Sequence, residues 1–331
     1  MSNMKAVIRF LSRWSTALAN RALLIGQQAY KCGDYATALR EFRTLANQGN
    51  TAAQFFLGTM YRNGDGVSAS GEEAARWIRL AAEQAMADAQ FSFGVLYDDG
   101  EGVAQDSFEA ARWYRLAAQQ GCASAQFNLG TCFHEGRGVK QDETKAAWWI
   151  TLAAEQGAAD AQLNLGIRYL NGIGVLRDDM EAYLWFDLAV ANGSADAVTY
   201  RDIVAQGLTP DQATDAHCRA RDWKPKSRAE SALDVYSGEV AEFFQTLNEG
   251  PSNVPAKEIL GLLDRVDDLI DVGVVLGAAA ENLKILREAY HALAGDLART
   301  VPEVREFLAR SNSLKELKRA PGFRQWLARP R

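Results

Sequence analysis

The chain has 331 residues, 48% hydrophobic and 24% charged, the balance of an ordered protein with room for a long repeat array and a second unit. A net charge of −6 argues against nucleic acid as the main partner, and no apolar run is long enough to span a bilayer. Cys32, Cys122, Cys132 and Cys218 lack metal-ligand spacing, so they read as reduced thiols rather than a zinc framework.

The first 28 residues form a basic segment. Lys5, Arg9 and Arg13 stand four apart, on one face of a helix whose other side offers Phe10, Leu11, Trp14 and Leu18. Such a helix caps the first helix pair of an array; the alternative is a helix lying on an anionic membrane surface. Ala17-Leu18-Ala19 resembles a leader-cleavage site, but Arg9 and Arg13 interrupt the apolar stretch before it. The expectation is a cytoplasmic protein, with the periplasm as the alternative.

From residue 29 the sequence repeats. Ala53-Gln54, Ala89-Gln90, Ala125-Gln126 and Ala161-Gln162 recur every 36 residues, and Ala197 continues the series. Gly58, Gly94, Gly130 and Gly166 keep the same step, as do Trp77, Trp113, Trp149 and Trp185. Each unit reads as two helices joined at a Gly-x-Gly pair, the first pair being Gly64 and Gly66. Ser70 with Glu73, Asp106 with Glu109 and Asp178 with Glu181 have the spacing of capping boxes that open the second helix; Asp142 keeps the cap but has Lys145 at N3. Gly121, Gly157 and Gly193 end the second helices, where the first such unit has Ala85. At the front, Gly26, Ala29, Gly33, Tyr35, Ala38 and Phe42 form an atypical pair with a shorter loop. At the back, Thr209-Pro210-Asp211-Gln212 is a capping box with proline at N1, opening a last helix that ends near Trp223.

Ala125-Gln-Phe-Asn-Leu-Gly130, Gly136-Arg-Gly-Val139 and Ala153-Ala-Glu-Gln-Gly157 resemble the Sel-one-like repeat family, relatives of tetratricopeptide repeats, over about residues 29–226. The resemblance implies an all-α fold, a right-handed α-solenoid of helix pairs. It implies a scaffold or adaptor that holds a partner protein, since family members mostly bind proteins in signalling, secretion and envelope processes. The family has no shared catalytic residues, so neither an enzyme nor a cofactor or metal is expected.

In a helix-pair solenoid the first helices line the concave side. The groove-facing positions are then Phe55, Thr59 and Arg62; Phe91, Val95 and Asp98; Phe127, Thr131 and His134; and Leu163, Ile167 and Leu170. Asn128 and Asn164 sit beside the Phe127 and Leu163 positions, where tetratricopeptide clamps often place an amide. The competing reading packs the phenylalanines between repeats. The Gly-x-Gly pairs follow no strand and so do not read as phosphate loops. Cys132 and His134 are two apart on a helix and point apart, which argues against a nucleophile–base pair.

Residues 227–331 form a separate helical unit with no family resemblance. Residues 229–248 read as one helix, then Pro251 and Pro255 break the chain, and 256–298 read as one long helix. Leu269, Leu276, Leu283 and Tyr290 stand seven apart, and Leu286 belongs to the companion row. That seam suggests a coiled-coil homodimer, against a bundle packed within one chain. The basic end (Arg310, Lys315, Lys318, Arg319, Arg324, Arg329, Arg331) leaves a membrane surface or nucleic acid as the rival partner, through the termini. The acids Asp264, Asp267, Asp268, Asp271 and Glu281, with His291, are the residues on which an enzyme reading would have to rest.

Overall fold

A computed structural model of the chain describes residues 18–248. Every regular element among them is a helix: α1 (18–31), α2 (Tyr35–Asn47), α3 (Thr51–Asn63), α4 (Gly71–Glu83), α5 (Ala87–Asp99), α6 (Ser107–Gln119), α7 (Ala123–Glu135), α8 (Glu143–Ala154), α9 (Ala159–Asn171), α10 (Asp179–Ala191), α11 (Ala195–Ala205), α12 (Pro210–Asp222) and α13 (Arg228–Asn248). Contacts divide the chain into two compact units, Met1–Ser231 and Ala232–Arg331. The first unit is an α-solenoid in which α3 packs on α4, α5 on α6, α7 on α8 and α9 on α10, and each second helix packs on the next first helix. The basic segment 1–17, the heptad row (Leu269, Leu276, Leu283, Leu286, Tyr290) and the acids around Asp264 lie outside the described residues.

The close packing within each pair has one cause, repeated. A Cβ added at Gly58, Gly94, Gly130 or Gly166 would come within 2.6–2.7 Å of Ile78, Tyr114, Ile150 or Phe186, twenty residues on. The missing side chain makes room for that large one. Trp77, Trp113, Trp149 and Trp185 are buried at 4–8% exposure, and Trp77, Trp113 and Trp185 each link their own pair to the pair before it. Burying a large apolar side chain contributes roughly 1.5–3 kcal/mol, available here only when repeats stack.

The recurring glutamines explain the Ala-Gln signature. Gln54, Gln90, Gln126 and Gln162 are buried, and each Nε2 donates to a carbonyl eight residues back: Ala46, Ala82, Ala118 and Ala154. Each Oε1 accepts from a carboxamide thirty residues on: Gln84, Gln120 and Gln156 at 2.7 Å, and Asn192 at 2.9 Å. These bonds tie successive helices together and leave the buried amides satisfied.

The second glycine of each Gly-x-Gly pair lies against the preceding repeat. A Cβ on Gly102 would stand 1.9 Å from the Gly71 carbonyl oxygen, and Gly138 and Gly174 meet the carbonyls of Ser107 and Glu143 in the same way. Gly102 also has φ +71, so both space and backbone demand glycine. At the other turn Ala85 adopts φ 62, the one positive φ outside glycine among the described residues.

The caps differ from expectation in one respect. Ser70, Asp106, Asp142 and Asp178 accept from backbone N–H groups in the first turns of α4, α6, α8 and α10, as their spacing predicts. Their own N–H groups, however, donate to the carbonyls of Tyr61, Tyr97, Phe133 and Tyr169, so the N3 side chains are not needed to close the box. Glu73 is used elsewhere, accepting from Trp77 Nε1 at 3.1 Å. The reciprocal capping box is present at Thr209 and Gln212, where it was expected. Ser227 and Glu230 form a second one, which opens α13.

The last helix that the sequence expects, opening at Pro210 and ending near Trp223, is α12, and it packs against α10, with Ala216 and Ala220 beside Leu184, Trp185 and Leu188. The position equivalent to Gly166 in α11 is Asp202, whose side chain is exposed and paired with Arg201. No helix approaches closely over an aspartate. The chain then runs back along the array: Lys226 N–H donates to the Glu155 carbonyl, Arg228 reaches Asp88 and the Gln120 carbonyl, and Ser231 joins Gln126 and Gln156.

Candidate protein-binding groove

The first helices α3, α5, α7 and α9 present their equivalent positions as columns, because every repeat has the same length up to α10. Phe55, Thr59, Arg62, Phe91, Val95, Asp98, Phe127, Asn128, Thr131, Asn164, Ile167 and Leu170 are all half-buried, and His134 is exposed. Phe55 packs against the core of the next pair, around Ile78 and Phe93, and Phe127 packs against Ile150 and Leu165. The phenylalanine column therefore joins repeats while showing one edge. Thr59 and Thr131 donate to the carbonyls of Phe55 and Phe127 in their own helices. Ile167 and Leu170 pack on the small cluster of Ala182, Phe186 and Val204, toward α11.

The polar column carries the links between repeats. Arg62 Nε lies 2.8 Å from Glu101, and Asp98 accepts from Arg137 at 2.6 Å; both pairs are 39 residues apart, with the charges exchanged. At the next step position 173 is isoleucine, and the link is rebuilt. Glu143 accepts from Arg168 at 3.0 Å and lies 2.8 Å from His134 Nδ1. Burial disfavours the charged form of Glu143, but the hydrogen bonds from Arg168 and His134 outweigh it and hold the carboxyl below the usual carboxylate value.

Arg168 is the residue that repeat-based reading overlooks. It occupies the column of Met60, Leu96 and Cys132, which are core residues, and its side chain is only 4% exposed. Nε donates to Asn164 Oδ1 at 2.9 Å, and NH1 also reaches the Ile173 carbonyl at 3.4 Å. A charged residue in an otherwise apolar column is the sequence signal that marks it. The Tyr114 hydroxyl donates to Asp98 at 3.4 Å. Burial, then the neighbouring Asp98, pushes the Tyr114 phenol well above its usual value despite the nearby Asn128 amide. Asn164 is thus not the free amide the sequence suggests; it is fixed by Arg168.

Chemistry at Cys132 is disfavoured by its surroundings. Burial pushes the thiol up to about 11, away from the thiolate a nucleophile needs, while His134 is engaged with Glu143. Among the described residues no group of three or more side chains is arranged to hold a metal, and no helix is long and apolar enough to cross a membrane.

A solenoid of 36-residue helix pairs defines the tetratricopeptide-related class of repeat proteins. The Sel1 repeat model matches residues 51–86, 87–122, 123–157 and 159–194, in step with the pairs from α3 to α10. Among solved structures, a Sel1 repeat protein from Oxalobacter formigenes is 30% identical with a TM-score of 0.53; the match covers 65% of this chain and 90% of that one. A protective antigen of uropathogenic Escherichia coli strains, displaying an SLR fold, is 36% identical with a TM-score of 0.50. That match covers 58% of this chain and 44% of the antigen, so the chain spans less than half the antigen's length. No curated protein matches the chain. The chain belongs to the Sel1 repeat family, whose repeats typically mediate protein–protein interaction.

Proposed function

We propose that this protein is a scaffold that holds a partner protein in the groove lined by α3, α5, α7 and α9, with no catalytic step of its own. The observation that carries this is the groove column itself. Phenylalanine and leucine edges stand beside a fixed amide and ion pairs, a mixture suited to a polypeptide, while Cys132 and His134 are held in states that do not favour nucleophilic chemistry. Free thiols at Cys32, Cys122, Cys132 and Cys218 suit a reducing compartment, and we assign the protein to the cytoplasm. Residues 227–331 are the unit to which we assign self-association, through the heptad row Leu269, Leu276, Leu283, Leu286 and Tyr290.

The test is a crosslinking experiment with the full chain in its native host, using a photo-reactive residue at Thr131 or at the outward-facing Arg79. A partner trapped reproducibly from Thr131 and not from Arg79 supports the groove. Trapping from Arg79 alone moves the contact to the opposite face and refutes this reading.

A further inference from the structure

After α12 the chain leaves Trp223, whose ring meets Trp185 edge-on, and runs back along the edge of the array where the second helices end. The last carbonyls of a helix have no partner within it, and this strap supplies donors to two of them. Lys226 N–H donates to the carbonyl of Glu155, the C-cap of α8, at 2.8 Å, and Arg228 Nε donates to that of Gln120, the C-cap of α6, at 3.2 Å. Each cation also meets an acid. Lys226 Nζ lies 2.9 Å from the Glu155 carboxylate, and Arg228 Nη1 lies 2.9 Å from Asp88 at the start of α5. Ser231 is fully buried, with its hydroxyl 3.0 Å from Gln126 Nε2 and 3.1 Å from Gln156 Nε2. Residues 226–231 thus bridge two successive helix pairs.

The array beneath the strap is complete without it. Gln126 keeps its bond to the Ala118 carbonyl and still accepts from Gln156 when Ser231 is away. The pairs Gln54–Gln84 and Gln90–Gln120 make the same two bonds, and among the described residues no serine bonds to them. Lifting the strap therefore orphans no buried amide of the array, and the carbonyls of Gln120 and Glu155 exchange their strap donors for water. Both ion pairs are partly exposed, so each is weak alone and screened by salt. Helix α13 begins inside the strap, at Arg228, so what holds the strap fixes where that helix leaves the array.

We propose that residues 226–231 are a releasable latch. Closed, Lys226, Arg228 and Ser231 hold the start of α13 on the edge of the array; open, they leave together while α5 to α8 stay folded. The outer fastenings are ionic, so salt loosens the latch. Arg228 is the principal fastening, because it alone joins the start of α5 to the end of α6. The latch does not depend on what the groove binds. Asp160 stands at the place of Asp88 two repeats on and makes no bond to the strap among the described residues, so it serves as the control.

The experiment is amide hydrogen exchange on the full chain, read at Lys226, whose acceptor lies in the array, and across α5 to α8. In Arg228→Ala the Lys226 amide should exchange about tenfold faster. Asp88→Asn should give part of that increase and should add nothing to it in the double variant. Asp160→Asn should leave the rate unchanged. The wild type in roughly 1 M salt, where the screening length is about 3 Å, should show the same acceleration. In every case α5 to α8 should keep their wild-type rates. Three results overturn the latch. A Lys226 amide indifferent to both Arg228→Ala and salt means that these contacts do not hold the strap. Acceleration of Lys226, α7 and α8 by one common factor means that the strap opens only when the pairs unfold. Equal acceleration by Asp160→Asn and Asp88→Asn means a general effect of charge. The salt series uses the unaltered chain, so it decides the matter even where Arg228→Ala fails to fold.

Discussion

Arg62 and Glu101 meet across a repeat boundary at 2.8 Å, and 36 residues later Asp98 and Arg137 meet in the same geometry with their charges exchanged. The scaffold therefore fixes the meeting point and is indifferent to which partner is the cation. Reversing Arg62 alone to glutamate should cost on the order of 1 kcal/mol, because it faces Glu101 and, at 3.7 Å, the place of Asp99. The double exchange Arg62→Glu with Glu101→Arg should recover most of that. Urea denaturation of the four members of the cycle measures it, and equal stability of all four would show that the pair contributes nothing.

Ala85 has φ 62 where Gly49, Gly121, Gly157 and Gly193 stand at the ends of the other second helices. Ala85→Gly should stabilise the protein by about 1 kcal/mol, since glycine relieves the left-handed strain. Thermal unfolding gives the comparison. An unchanged or lower midpoint would mean that the gain in unfolded-chain entropy cancels the relief.

Gly102 and Gly33 separate two reasons for a glycine. Both have positive φ, but a Cβ on Gly33 meets nothing within 4 Å while one on Gly102 would strike the Gly71 carbonyl. Gly33→Ala should cost about 1 kcal/mol and Gly102→Ala at least about 3 kcal/mol, with loss of cooperativity at that repeat boundary. Amide hydrogen exchange around α4 and α6 would locate the damage.

Ser231 is fully buried and its hydroxyl lies 3.0 Å from Gln126 Nε2 and 3.1 Å from Gln156 Nε2. Ser231→Ala removes an acceptor from both amides and should destabilise by about 1–2 kcal/mol. Ser227→Ala, which removes only the exposed cap of α13, should cost about 1 kcal/mol or less. Chemical denaturation distinguishes them, and the reverse order would mean that the cap rather than the buried hydroxyl holds the segment.

The depressed carboxyl of Glu143 gives a pH dependence with a definite sign. Its folded value lies below the unfolded one, so its contribution is complete above the ordinary carboxylate range and is lost as the pH falls through the depressed value. Glu143→Gln should therefore be less stable than the wild type near neutral pH, and the gap should narrow on acidification. Parallel stability curves down to pH 3 would argue that Arg168 and His134 do not favour the ionised carboxyl.

The 36-residue step alone determined the number and order of the central helix pairs. A repeat of glycine, glutamine and tryptophan at fixed offsets allows one stacking, in which Gly58 and its equivalents receive Ile78, Tyr114, Ile150 and Phe186. Local chemistry also announced the caps at Ser70, Asp106, Asp142 and Asp178 and the turn at Ala85, because these depend on neighbours within a few residues. The end of the array was written in Asp202, a charged residue in a glycine column, but its consequence, the return of α12 to α10, appears only when the helices are packed. The candidate groove was legible as columns of positions and not as chemistry. Asn164 looks free in a one-dimensional reading, since the residue that fixes it, Arg168, acts through a side chain whose direction the repeat pattern does not encode. Ser231 belongs to the same class: 105 residues separate it from Gln126, and their hydrogen bond follows from the chain turning back along the array, which no local pattern specifies.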